Sequence, residues 1–87
     1  MRFRFKGKAE KDLKKLPLSG QKRFKTVVQE IIHANNLEEL NNCKKLRGAK
    51  NSYSIRFGKY RIGFKYEEER INIYRVLHRK EIYSRFP

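Results

Sequence analysis

The sequence contains little of what several protein classes require. Its 87 residues include no tryptophan, one cysteine, one methionine and two prolines. A single cysteine, Cys43, cannot form an internal disulfide. The paired spacing of a structural zinc site is also not found among Cys43, His33 and His78. No apolar run approaches the roughly 20 residues of a membrane span, and no signal peptide is visible. We therefore expect a cytoplasmic protein with no cofactor, no metal and no membrane partner.

Acidic residues are scarce compared with basic ones. The chain has 23 lysines and arginines against 9 aspartates and glutamates, a formal net charge of +14. Such a charge attracts polyanions, so nucleic acid is the first partner to consider, followed by an anionic membrane or an acidic protein. Six phenylalanines and five tyrosines can form one small core. The length predicts a single domain over residues 1–87.

The first half of the chain is predicted to form a strand and two helices. Residues 2–6 alternate between basic and aromatic side chains, which is typical of a strand with one buried face. Helical spacing over residues 8–16 ends at Pro17, and Ser19 is the predicted N-cap of a second helix. Residues 37–48 are predicted to be a polar connection. The second helix carries an apolar stripe for the core: Phe24, Val27, Val28, Ile31 and Ile32.

The second half has the period of two that indicates strands. Residues 53–57 and 60–66 alternate, and Gly58 and Lys59 between them predict a tight hairpin with glycine first. Three glutamates then turn the chain, and residues 71–77 form the next strand. A strand, two helices and an antiparallel meander predict an α+β fold, with one sheet and the helices packed on one face.

The predicted hairpin register brings two arginines together. A two-residue turn pairs Arg56 with Arg61 on the face away from the core, where like charges are unfavourable. Two guanidinium groups suit a phosphate, although both side chains could equally extend into water. A basic cluster and Tyr83 follow the third strand. If the chain brings this cluster and Tyr83 back to the face of Arg56 and Arg61, they would complete a metal-free RNA-cleaving site. The alternative is that Tyr83 is a half-buried packing residue.

Three blocks of this sequence resemble a known family. They are KLRG at residues 45–48, YSIRFGKYRI at residues 53–62 and HRKEIY at residues 78–83. Their order and spacing are similar to those of the RelE/ParE superfamily, the toxins of bacterial type II toxin–antitoxin modules. The resemblance covers nearly the whole chain and implies a RelE-like fold.

The RelE branch of this superfamily implies a specific activity. Its members cut mRNA in the ribosomal A site, where the ribose 2′-hydroxyl attacks the adjacent phosphate and leaves a 2′,3′-cyclic phosphate. By position, Arg61 and Arg79 would stabilise charge on the phosphorane, and Tyr83 would accept the proton. Arg56 stands where the family has a lysine and could fill the cationic role. Ser54 stands where a second lysine is common, so one positive charge is absent.

Further basic residues extend the predicted site. His78 could protonate the leaving oxygen, or it could have a structural or RNA-stacking role. An uncompensated basic cluster suits contacts with the backbone of mRNA and ribosomal RNA, although a solvated face is the simpler interpretation. The residues of this cluster, with two from the first motif, are Lys11, Lys14, Lys15, Lys22, Arg23, Lys25, Lys45 and Arg47.

The leading hypothesis is therefore a ribosome-dependent endoribonuclease toxin that is neutralised by a cognate acidic antitoxin. One alternative is a ParE-like toxin, which has the same fold, binds DNA gyrase and performs no chemistry of its own. A second alternative is a basic RNA-binding module without catalysis. The combination of Arg56, Arg61, Arg79 and Tyr83 favours the nuclease, because ParE-type chains lack this set.

Overall fold

A computed structural model describes all residues 1–87 and contains one five-stranded sheet and three α-helices. No helix is long and apolar enough to cross a membrane. A short 3₁₀ turn spans Leu37–Glu39. In chain order the elements are β1 (Arg2–Phe5), α1 (Ala9–Lys15), α2 (Leu18–His33), β2 (Cys43–Lys45), β3 (Ser52–Phe57), β4 (Tyr60–Glu67), β5 (Arg70–His78) and α3 (Ile82–Arg85). The predicted α+β class is confirmed.

The sheet is mixed, with the strand order β1-β5-β4-β3-β2. Strands β3, β4 and β5 form the predicted antiparallel meander, and β1 lies parallel to β5 at one edge. At the other edge β2 pairs with β3, although residues 37–48 were expected to be a polar connection without a strand. Three residues are too few to show a period of two, so β2 left no pattern in the sequence.

Helices α1 and α2 cover one face of the sheet, where the main core lies. The stripe on α2 is confirmed at Phe24, Val27 and Ile31, which are buried. It is wrong at Ile32, whose side chain is 46% exposed, because this edge of the stripe extends past the helix–sheet contact. The other buried members of this core are Ala9, Leu16, Ala34, Leu40, Ile55, Phe57, Ile62, Phe64, Ile71, Ile73 and Val76.

The second helix begins two residues earlier than predicted. Pro17 is its N-cap, and the Pro17 carbonyl accepts a hydrogen bond of 3.0 Å from the backbone N–H of Gln21. Ser19 therefore lies inside the first turn and makes no capping bond. The side-chain amide of Gln21 donates a hydrogen bond to the carbonyl of Leu16, which connects α2 to the residue that follows α1. Proline suits a helix start because its missing N–H has no partner there.

A buried ion pair connects α1 to β5 of the sheet. The Asp12 carboxylate accepts hydrogen bonds from Arg75 Nε at 2.8 Å, from Arg75 Nη2 at 3.2 Å and from the backbone N–H of Val76 at 3.0 Å. Asp12 is only 6% exposed. The hydrogen bond to Asp12 raises the pKa of Arg75 above its usual value. This pair fixes where α1 crosses β5.

The third helix was not predicted, and it lies on the opposite face of the sheet. Ile82 and Phe86 pack there against Leu46 and Leu77 in a cluster separate from the main core. The Phe86 ring lies directly over Gly63, where an added Cβ would be 2.6 Å from the ring. The prediction that the two helices pack on one face is confirmed for α1 and α2. Helix α3 is an additional helix, whose four residues are too few to show helical periodicity.

Candidate active site

The β3–β4 hairpin has the predicted register. Phe57 pairs with Tyr60 across the turn, and Arg56 pairs directly with Arg61. Gly58 has a φ of 58°, the left-handed conformation that this turn requires and glycine adopts without strain. Because directly paired residues point to the same side of a sheet, Arg56 and Arg61 share the face opposite to α1 and α2.

A buried serine holds Arg61 in place. Arg61 Nη1 donates a hydrogen bond of 2.9 Å to Ser54 Oγ, and Ser54 is fully buried. The sequence indicated only that Ser54 replaces a charge. The structure shows in addition that its hydroxyl orients the Arg61 guanidinium.

Tyr83 projects from α3 onto the same face and meets two cations. The guanidinium carbon of Arg61 lies 5.6 Å from the centroid of the Tyr83 ring, and Lys44 Nζ lies 5.4 Å from it. Both distances are in the range of cation–π contacts. Tyr83 is 51% exposed, so the ring is open to a ligand rather than packed in a core. The predicted alternative of a half-buried packing residue stays open, because about half of the Tyr83 side chain is covered.

Lys44 is a site residue that the sequence interpretation missed. It lies on β2 and pairs directly with Ser54 on β3. Lys44 therefore places a cation beside Tyr83 from the strand next to Ser54. The only signal available was its position beside the KLRG block, because β2 itself could not be predicted.

An open cavity of about 540 Å³ adjoins Tyr83. Lys44, Lys45 and Arg47 line it together with Phe86. Lys45 and Arg47, predicted as RNA contacts, are both exposed here. The cavity thus combines an apolar wall with several cations, which suits an anionic ligand that also carries flat rings.

Arg56 and Arg79 lie at the hairpin end of the sheet without contacting Tyr83. Arg56 is exposed beside Arg61. The backbone N–H of Arg79 donates a hydrogen bond of 2.8 Å to the carbonyl of Lys59 in the hairpin turn, and the Arg79 side chain is exposed. Both guanidinium groups are therefore free of protein partners.

His78 is separated from these residues. It pairs with Tyr60, which packs against the main core, so its ring lies on the face that α1 and α2 cover. The two rings meet edge to face with centroids 6.0 Å apart. Nδ1 of His78 accepts a hydrogen bond from the backbone N–H of Lys80 at 3.2 Å. This geometry gives His78 a structural partner and no contact with Tyr83.

The basic residues predicted on the helices form a different surface. All six are exposed, and none belongs to any of the three ion pairs of the chain. Arg23 reaches the hairpin turn, since Arg23 Nη1 lies 2.9 Å from the place of an added Cβ on Gly58. The others are Lys11, Lys14, Lys15, Lys22 and Lys25. They lie on the helical layer, away from Tyr83.

Comparison with known proteins decides the family. A family model described as the ParE toxin of the type II toxin–antitoxin system parDE matches residues 3–83. The chain belongs to the RelE/ParE toxin superfamily. It is 45% identical over 78 residues to Toxin RelE3 of Methanocaldococcus jannaschii, with 88% of this chain and 89% of the relative covered.

Solved structures agree with this RelE/ParE assignment. The toxin in a RelB–RelE antitoxin–toxin complex from Methanococcus jannaschii has a TM-score of 0.78 at 42% identity, covering 95% of this chain and 98% of that one. A RelBE2 complex from Mycobacterium tuberculosis gives a TM-score of 0.64 at 32% identity, covering 90% and 96%. The Escherichia coli RelBE complex, at 22% identity and a TM-score of 0.70 over 88% and 94%, shows the fold alone.

Proposed function

We propose that this chain is the toxin of a RelBE-type pair and cleaves mRNA on the ribosome. The observation that supports the proposal is the contact of Arg61 and Lys44 with the Tyr83 ring, with Arg61 fixed by Ser54. Phosphoryl chemistry without a metal needs preorganised cations near the phosphate and a group that exchanges protons. These side chains supply both on an exposed face.

In the proposed reaction the 2′-hydroxyl attacks the adjacent phosphorus while the bond to the 5′-oxygen of the next nucleotide breaks. The proton of the 2′-hydroxyl passes to the Tyr83 oxygen, which releases its own proton to solvent. Arg61 and Lys44 stabilise the charge that develops on the phosphorane oxygens. The departing 5′-oxygen takes a proton from solvent, and Arg56 and Arg79 bind neighbouring phosphates at the hairpin end. Lys45 and Arg47 hold the message in the cavity.

The partner of the toxin is proposed to be an acidic antitoxin. Two relatives of known structure that are at least 30% identical are described as complexes with RelB or as RelBE pairs. With a net charge of +14, the chain favours a partner of opposite charge, and electrostatic complementarity accelerates such an encounter. An antitoxin that covers the Tyr83 cavity would block the site.

Tyr83→Phe tests the nuclease directly. Primer extension on messages translated in an extract should show cuts at fixed positions in codons for the wild-type chain. Tyr83→Phe should lose roughly 10² to 10⁴-fold of single-turnover cleavage, the contribution of general acid–base assistance. Tyr66→Phe, on the opposite face, is the matched control and should cleave normally.

Tyr83→Ala separates chemistry from stacking. If Tyr83→Phe is active and Tyr83→Ala is not, the ring stacks on a base and the proton acceptor is another group. Both variants must retain RNA binding for the comparison to be made. Loss of both activities with retained binding supports the phenol as the reacting group.

The matching family description names ParE, so gyrase inhibition is the second candidate. Purified chain added to gyrase and relaxed plasmid measures it. Inhibited supercoiling together with intact mRNA in the extract would replace the nuclease proposal. Unaffected gyrase together with codon-positioned cuts would support it.

A further inference from the structure

A second pair of arginines lies on the Tyr83 face, at the other end of the sheet. Arg2 on β1 pairs directly with Arg70 on β5. Phe3 and Ile71, the next residues of the two strands, pack in or against the main core, so Arg2 and Arg70 point to the opposite side. Like charges directly across a sheet are unfavourable. The proposed reaction at Tyr83 gives Arg2 and Arg70 no role.

Arg70 also carries an unsatisfied donor. Its Nε is the one buried side-chain nitrogen or oxygen in the chain without a hydrogen-bond partner. Almost all buried polar atoms in folded proteins have a partner, and each exception needs an explanation. An anionic ligand that bonds to the Arg70 guanidinium would offset the unfavourable repulsion from Arg2.

Neighbouring residues make this end of the sheet an ordered surface. Asn72 is 1% exposed and donates to the carbonyls of Lys65, Glu67 and Arg70, while its own oxygen accepts a bond from Arg4 Nε. Arg4 is thus oriented by a buried amide, with its terminal nitrogens directed outward. We call Arg2, Arg4, Lys65 and Arg70 the distal patch.

The acidic residues beside the distal patch do not neutralise it. Glu67 pairs with Arg70 in register but makes no ion pair with it. Glu68 lies 3.9 Å from Arg4 Nη2, and its side chain is 72% exposed, so this contact is weak. Four cations therefore face the three glutamates of residues 67–69, of which only Glu68 comes within 4.0 Å of a patch cation, and the patch keeps a positive charge.

The distal patch is continuous with the Tyr83 cavity. Phe86 lines that cavity, and its ring centroid lies 6.2 Å from that of Tyr74. Lys65 Nζ lies 5.3 Å from the centroid of the Tyr74 ring. Rings and cations thus follow one another from the cavity to the patch, the combination that binds single-stranded nucleic acid.

We propose that the distal patch binds backbone phosphates of RNA while Tyr83 engages the message. The proposal rests on the proposed function and adds a second RNA site to it. Arg61 and Lys65 are four residues apart on β4, about 13 Å, and β1 lies two strands, about 10 Å, to the side. The sites are therefore about 16 Å apart, within reach of one strand of a few nucleotides. The phosphates belong either to the message or to ribosomal RNA.

Binding of RNA that cannot be cleaved tests the patch without requiring nuclease activity. Fully 2′-O-methylated single strands of roughly three and roughly ten nucleotides would probe the Tyr83 site alone and both sites together. For the longer strand, Arg2→Gln/Arg70→Gln should weaken binding about tenfold and reduce the slope of log K against log salt by about 0.7 for each lost phosphate contact. Binding of the shorter strand should not change.

Two controls keep this result interpretable. Lys8→Gln/Lys50→Gln removes the same charge from exposed positions outside both sites and should have a smaller effect. Arg2→Gln alone, at an exposed residue, provides a folded variant if the double substitution unfolds, with about half the change in salt slope. Equal effects of the patch and control substitutions, on both the longer strand and vacant ribosomes, would overturn the proposal.

Vacant ribosomes distinguish the two sources of phosphate. If the patch variant binds the longer strand normally but binds vacant ribosomes more weakly than the control, the phosphates are ribosomal and the proposal holds. Normal binding to both overturns it, even if the wild-type chain cleaves mRNA. Weakened binding only to an acidic antitoxin also overturns it, in favour of a protein interface.

A gain-of-binding variant completes the test. Glu68→Gln removes the carboxylate next to Arg4 and keeps the shape of the side chain. It should tighten binding of the longer strand by several-fold and leave the shorter strand unchanged. Unchanged binding of both strands would contradict a role for Arg4.

Discussion

The two faces of the sheet differ in how their charged residues are compensated. Under α1 and α2, the buried carboxylate of Asp12 meets Arg75, and fourteen buried apolar residues form one core. On the opposite face a four-residue cluster holds α3, and the cations around Tyr83 have no acidic partner. One face is optimised for folding, while the other retains uncompensated charge that a ligand can satisfy.

The two faces also contribute unequally to the stability of the chain. The main core and the Asp12 ion pair stabilise the whole chain, whereas α3 has four residues and few buried contacts of its own. Low burial is typical of segments that open locally at little cost in free energy. Changes on the helical face should therefore affect unfolding, and changes on the α3 face should affect function first.

The largest effect is expected from Asp12→Ala. It leaves the Arg75 charge partly buried and the Val76 N–H without its acceptor, so the free energy of unfolding should fall by about 3–5 kcal/mol. Urea denaturation measures this change. Glu10→Ala, an exposed acidic residue of the same helix, should change stability by less than about 0.5 kcal/mol. A loss below about 1 kcal/mol for Asp12→Ala would contradict the importance of the pair.

Arg61→Ala should affect the other face alone. Removal of one preorganised charge-stabilising donor costs about 10²–10³-fold in rate, and mRNA cleavage should fall by that factor. Its midpoint of urea denaturation should stay near that of the wild-type chain. Arg85→Ala, an exposed arginine of α3 paired with Glu81, is the control for charge. Cleavage near the wild-type rate in Arg61→Ala would remove this face from the mechanism.

Ser54→Ala should have a smaller effect through the same residue. The guanidinium of Arg61 remains but loses the bond that orients it, so cleavage should fall about tenfold, equivalent to about 1.4 kcal/mol. Ser52→Ala, also buried on β3 but bonded to the carbonyl of Lys50, is the matched control. Equal cleavage by both variants would show that Ser54 only fills space.

The sequence predicted the hairpin more completely than the site. Alternation and Gly58 were sufficient for the Arg56–Arg61 register, because a two-residue turn leaves only one pairing. The position of Tyr83 after the third strand also placed it on this face, and the structure brings it to Arg61. Lys44 could not be predicted, since its role depends on a cross-strand partner in a three-residue strand. Local periodicity contains no information about such tertiary neighbours.

Two further positions were not settled by residue type alone. Ser19 satisfies the residue preference for an N-cap, but Pro17 ends the preceding turn and fixes the helix start two residues before it. For His78, a catalytic and a structural role were both open. Leu77 faces α3, and because successive strand residues point to opposite faces, His78 lies on the other face, where it contacts Tyr60 and not Tyr83.

The smallest predicted effect concerns Cys43, whose strand neighbour Lys44 faces the Tyr83 site. Cys43 packs against the main core, and burial raises the pKa of its thiol. Because the folded pKa is above the unfolded value, this thiol contributes stability below the unfolded pKa and loses the contribution as pH rises through the folded pKa. Wild-type stability should therefore fall more steeply than that of Cys43→Ser above roughly pH 8.5.

Alkylation gives an independent measurement of the same burial. Near pH 8, iodoacetamide should modify Cys43 several-fold more slowly in the folded chain than in urea, because the thiolate is the reacting form. Equal rates would place Cys43 in solvent and contradict the alternation that puts Lys44 beside Tyr83. The assignment of β2 residues to the two faces would then be wrong, because a shift of one residue along a strand moves each side chain from the core face to the solvent face.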